Sequence, residues 1–95
     1  MGIHRSKTIH TYGNVIKIKI YSSKFVNKEF WSNHDDNSAI KHLYPHSEHL
    51  IQQGFQFTIT DCSYDEYYRD IEIYVTHHSA SLITWLLLSK YNPSK

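Results

Sequence analysis

Residues 14–21 read NVIKIKIY, and the reading of this stretch decides the fold. Strict alternation puts Ile16, Ile18 and Ile20 on one side and Lys17, Lys19 and Tyr21 on the other, the period of a half-buried strand. Just upstream, residues 7–12 supply Thr, Ile and Tyr for a partner strand. Gly13-Asn14 offers a two-residue turn able to take positive φ, so the segment predicts a hairpin.

The same alternation returns further along the chain. Residues 55–60, FQFTIT, predict a strand burying Phe55, Phe57 and Ile59, with residues 62–66 as the turn that follows it. Residues 67–76, YYRDIEIYVT, predict the return strand. Ile71, Ile73 and Val75 then face inward with Tyr67, and Tyr68, Asp70, Glu72 and Tyr74 face outward.

Helical material separates and closes these pairs. Residues 23–36 read as a turn or two of helix running into a loop. Asn37 or Ser38 is a candidate cap for a helix carrying Ile40 and Leu43. Pro45 forces a break near Tyr44, because proline disrupts a helix interior yet suits the first position of a new one. A second piece from Pro45 to Gln53 stops at Gly54. Residues 79–91 predict a last helix, capped by Ser79 and ended by Asn92-Pro93. Its Leu82, Ile83, Trp85, Leu86, Leu87 and Leu88 span more of the circumference than one sheet face covers. The order is therefore β-β-α-β-β-α: an α+β domain over residues 1–95, with one four-stranded, mostly antiparallel sheet and helices on one face.

Composition narrows the function classes. Ninety-five residues with 40% apolar content suffice for one core and not for two domains. The longest apolar run, residues 85–88, is far short of the roughly 20 residues of a membrane span. No apolar run follows the basic N-terminal stretch, so no secretory signal is read there. Gly2 followed by Ile3, His4, Arg5 and Ser6 meets a permissive acylation pattern that no second membrane signal supports. The single Cys62 cannot staple the fold and points to a reducing compartment, hence a cytoplasmic protein.

Chemistry-bearing motifs are few. There are eight histidines, with His42, His46 and His49 close together and His77-His78 adjacent. Pro45 bends the segment between His42 and His46, and no HExxH or CxxC accompanies them, so no metal site and no cofactor is expected. Cys62 lies among Asp61, Asp65 and Glu66, whose negative charge disfavours a reactive thiolate. Neither GxGxxG nor GxxxxGK[ST] occurs, and the pairs Asp35-Asp36 and Asp65-Glu66 read as solvated turns. The chain carries no catalytic signature, and a non-enzymatic role is expected.

Charge is distributed unevenly. Residues 1–30 hold Arg5, Lys7, Lys17, Lys19, Lys24 and Lys28 against Glu29; residues 61–72 hold Asp61, Asp65, Glu66, Asp70 and Glu72 against Arg69. If the two strands are neighbours, Lys17 and Lys19 meet Asp70 and Glu72 as cross-strand pairs. The leading functional expectation is a protein-binding surface made of Tyr64, Asp65, Glu66, Tyr68, Asp70, Glu72 and Tyr74. Tyrosine supplies rigid contact area, and carboxylates steer a basic or nucleic-acid-binding protein partner. A toxin-immunity protein or a phage-encoded, anti-CRISPR-like inhibitor of a host defence nuclease has this size and architecture, an analogy with no motif behind it. The second expectation is an RNA- or DNA-binding module using the Lys/Tyr hairpin with Tyr12 and Tyr21. A third is self-association, as a homodimer, through the last helix, unless residues 23–31 fold over it and supply Phe25, Phe30 and Trp31 as its cover.

Overall fold

The computed structural model describes residues 7–89. Strand β1 (Lys7–Tyr12) pairs antiparallel with β2 (Val15–Ile20), with Tyr12 opposite Val15. That leaves Gly13 and Asn14 as the turn. Gly13 alone takes a positive φ of 58°, the pattern of a type II′ turn, whose first central residue favours glycine.

Strands β3 (Ile59–Asp65) and β4 (Asp70–Thr76) form a second antiparallel hairpin, and β4 also pairs antiparallel with β2. The sheet order is β1-β2-β4-β3. Ile16, Ile18 and Ile20 stand opposite Val75, Ile73 and Ile71, and all six are buried. The alternation seen in the sequence is the core face of this central pair.

Between the hairpins lie three short helices: α1 (Lys28–Asn33), α2 (Asp36–Leu43) and α3 (Glu48–Gln52), with a 3-10 turn over Pro45–Ser47 before the last. Proline ends α2 where the sequence required it. The α2 cap is not Asn37 or Ser38, however, but Asp35, whose Oδ1 accepts the Ser38 N–H at 2.7 Å. The next two side chains reach across the chain instead. Asp36 Oδ2 accepts from the Ile59 N–H at 2.9 Å, and Asn37 Oδ1 from the Phe57 N–H at 2.7 Å. The Asp35-Asp36 pair is thus structural: it starts a helix and ties that start to the entry of β3.

The second hairpin is displaced from its expected position. Residues 55–58 are not strand, β3 runs through Cys62 and Tyr64, and the turn occupies residues 66–69. The cause is Asp65, whose Oδ1 accepts the N–H groups of both Tyr67 and Tyr68 at 2.9 and 3.1 Å. This Asx-type arrangement bends the backbone locally and competes with the ladder. Arg69 completes the turn at φ 54°. Tyr67, expected inward, is therefore exposed.

Helix α4 (Ala80–Ser89) packs its Ala80, Ile83, Thr84 and Leu87 over β1 and β2. Ser79 stands immediately before the helix: its carbonyl accepts the Ile83 N–H at 3.0 Å, and its own N–H donates to His77 Nδ1 at 2.9 Å. Thr11 of β1 donates to Thr84 Oγ1 at 2.7 Å and fixes which flank of α4 faces β1. Ile40, Leu43, Ile83 and Leu87 join the sheet isoleucines in one core, so the helices share one face of the sheet. Residues 23–31 do not cover α4. They pack beside β3, where Val26, Asn27 and Lys28 share a cleft with Tyr64, Asp65 and Glu66. The Gly2 pattern, Arg5, Tyr91 and the Asn92-Pro93 stop lie outside the described residues.

Candidate protein-binding face

Residues opposite one another in a ladder share a face. The helix-free face therefore carries Thr8 and His10 from β1 and Lys17 and Lys19 from β2. It also carries Asp70, Glu72 and Tyr74 from β4, and Asp61, Ser63 and Asp65 from β3. The two lysines face acids. Lys17 Nζ lies 3.4 Å from Glu72 Oε2, and Lys19 Nζ lies 3.6 Å from Asp70 Oδ2. Each pair is diagonal, since Lys17 stands opposite Tyr74 and Lys19 opposite Glu72. The basic and acidic blocks of the sequence thus meet on the sheet.

Asp70 differs from the surface carboxylate the sequence led us to expect. Its side chain is only 5% exposed against 37% for its lysine partner. Tyr21 first, and then Asp70, hold the Lys19 ammonium above its ordinary range. Each lysine also lies beside a tyrosine ring: Lys17 is 5.5 Å from the Tyr12 centroid and Lys19 is 5.8 Å from that of Tyr21.

The seven candidate residues do not form one patch. Asp70, Glu72 and Tyr74 belong to the open face, and Asp65, Glu66 and Tyr68 belong to the β3–β4 turn at its end. Tyr64 lies on the opposite, helix-covered face. There Lys28 Nζ is 5.8 Å from its ring, and burial pushes its hydroxyl up to about 12. It borders the cleft against α1, about 430 Å³, which is also lined by Val26, Lys28, Asp65 and Glu66.

Sequence reasoning missed Tyr67. It is 86% exposed and packs edge-on to Tyr68, itself 70% exposed, at 4.9 Å between ring centres. Two bare aromatic rings at a turn pinned by Asp65 form a projecting knob with Glu66 beside it. The signal available was the Asp-x-Tyr-Tyr spacing, in which an Asp able to accept both amides turns the chain before any alternation starts.

Two of the clustered histidines have hydrogen-bond partners of their own. His46 Nε2 lies 2.8 Å from the Leu87 carbonyl, and His49 Nε2 lies 3.1 Å from the Gln53 amide. A contact the sequence did not suggest joins His34 and His42, whose ring centres are 4.8 Å apart, with His34 stacked on Phe30 at 4.2 Å. Among the described residues no three His, Cys, Asp or Glu side chains converge as metal ligands. Cys62 lies within β3 rather than in a turn; burial first, and then Asp61, push its thiol up, while a hydrogen bond with Tyr64 opposes them. No described helix is long and apolar enough to cross a membrane.

Comparison with known proteins returns no matching family model, no matching curated protein and no matching solved structure.

Proposed function

We propose that this chain is a non-enzymatic binding domain whose target is a protein with a basic surface. The target would be held by the helix-free sheet face together with the Tyr67–Tyr68 knob. The observation that carries this reading is the charge of the face. Asp61, Asp65, Asp70 and Glu72 outnumber Lys17 and Lys19, and both lysines are already engaged by carboxylates. At the turn Glu66 and Arg69 offset each other, so the surplus is that of the sheet face itself. A face with surplus negative charge repels phosphate, so the Lys/Tyr hairpin is poorly placed to grip nucleic acid there. The same field speeds encounter with a basic protein, and exposed tyrosines supply the buried anchor area. A cytoplasmic toxin-immunity protein, or a phage-encoded inhibitor of a nuclease whose own surface is basic, is the form of this function that the charge favours.

The test uses the whole chain as bait in a lysate of its native host, beside a Tyr67→Ala/Tyr68→Ala bait of the same circular dichroism. The reading expects a partner with a basic face, bound roughly 10–100-fold more weakly by the double variant. Equal binding by both baits refutes the assignment. So does tight binding to generic RNA that falls steeply with salt, which would transfer the function to the hairpin lysines.

A further inference from the structure

We infer that two copies of this chain associate about a two-fold axis along β1, joining their sheets edge to edge and closing the apolar stripe of α4 against its mate. This surface is separate from the face described above and does not depend on it.

Two features coincide on one flank of the molecule. The first is the stripe Leu82, Trp85 and Leu88, exposed by 56%, 61% and 60% on a helix without a single charged residue. Leu88 lies one turn after Thr84, the residue bonded to β1, and it lines a groove of about 520 Å³ with Lys7, Ile9, Tyr44 and His46. Leu88 therefore opens onto the β1 side of the molecule, and Trp85 and then Leu82 follow it round the outward side of the helix. The second feature is β1 itself, an edge strand with no described strand on its outer side.

The two edges of the sheet are built differently. The β3 edge carries a register break between Ile59 and Asp61, and Asp61 and Asp65 along its length. Bulges and charges of this kind block strand addition. Strand β1 has no such break, and its one charge, Lys7, stands at its first residue: the six residues pair with β2 in unbroken register and include no proline and no acid. An open, regular edge accepts another strand.

Area decides that helix and edge act together. The three exposed side chains offer on the order of 300 Å² per copy, so a helix-only contact would bury roughly 600 Å², below the ~1,200–2,000 Å² of a stable interface. Adding the length of β1 supplies the rest. The occupant is a second copy because the stripe presents no charge for a different partner to complement and none to repel its own image, and homodimer contacts are the more apolar class. A two-fold axis that keeps both cores on one side pairs residues of equal parity. Either Ile9 faces its own image, with Thr8 beside His10 of the second copy, or His10 does. In neither register do the two Lys7 ammoniums oppose each other.

Sedimentation of the full chain at about 50 μM should give twice the 11.3 kDa of the monomer. Trp85→Glu, at a solvent-facing position, should raise the dissociation constant at least tenfold with the helical content unchanged, and Leu88→Lys should do the same. Thr8→Cys/His10→Cys/Cys62→Ser should form an intermolecular disulfide on mild oxidation, since opposed Cα atoms in an antiparallel pair lie within disulfide reach. Ser63→Cys/Cys62→Ser, on the far edge, should not. A monomer at this concentration overturns the inference. So does a dimer that ignores both helix variants, or one that cross-links through position 63 in place of β1.

Discussion

Ser47 is fully buried in the Pro45–Ser47 turn, and its Oγ has no hydrogen-bond partner. It occupies the cap position of α3, yet the helical backbone runs through it at φ −63°, which denies the hydroxyl the geometry of a cap. A buried hydroxyl without a partner costs roughly 1–3 kcal/mol. Ser47→Ala removes that cost without opening a cavity, so urea unfolding should show a gain of about 1 kcal/mol; a loss would reveal a bond made by the hydroxyl. His42 supplies the pH dependence at this scale. Lost hydration where its ring packs on Phe30 and His34, followed by the charges of His34, Lys24 and Lys41, pushes its pKa below 6.5. The unfolded chain then binds the proton more readily than the folded one, so stability is present above pH 6.5 and is lost as pH falls through the depressed folded value. The melting temperature should drop between pH 7.5 and 5, and His42→Gln should reduce that drop. An identical drop in the variant would place the titration elsewhere.

The elements were legible in proportion to how far their pattern was local. NVIKIKIY needed only its own alternation and a glycine turn, and β2 sits within one residue of the expected span at each end. The break at Pro45 was equally local, because a proline cannot continue α2. The second hairpin was misplaced because alternation in FQFTIT and a polar stretch after it looked like strand and turn. The deciding interactions were one Asp accepting two amides and two helix-start side chains bonded across twenty and twenty-three residues to Phe57 and Ile59. Only the first of these has a readable spacing. Asp65→Ala should therefore release the 66–69 turn and cost about 1 kcal/mol. Heteronuclear relaxation should find the Tyr67 and Tyr68 amides more mobile, and a turn that stays rigid would mean the strands alone hold it. The candidate site inherited the displacement: Tyr68, Asp65 and Glu66 remained at a surface turn, Tyr67 joined them, and Tyr64 moved to the covered face.

Across the whole molecule the charge asymmetry of the sequence becomes local pairing, and its residue is a negative sheet face. That outcome depends on β2 and β4 being neighbours, a long-range choice that no stretch of sequence records. The same adjacency governs how the chain acquires its shape. Each hairpin closes through residues near one another in sequence, but the β2–β4 seam brings Ile20 to Ile71 across the fifty intervening residues 21–70. Closing so long a loop forfeits chain entropy before any of the seam's isoleucines meet. Local closure therefore predicts that hairpins and short helices form first and the seam last, an order that stopped-flow folding of an Ile18→Val variant against an Ile9→Val variant would check. Until the seam closes, both halves expose an unpaired isoleucine-rich strand, and that interval is when two nascent chains can exchange hairpins.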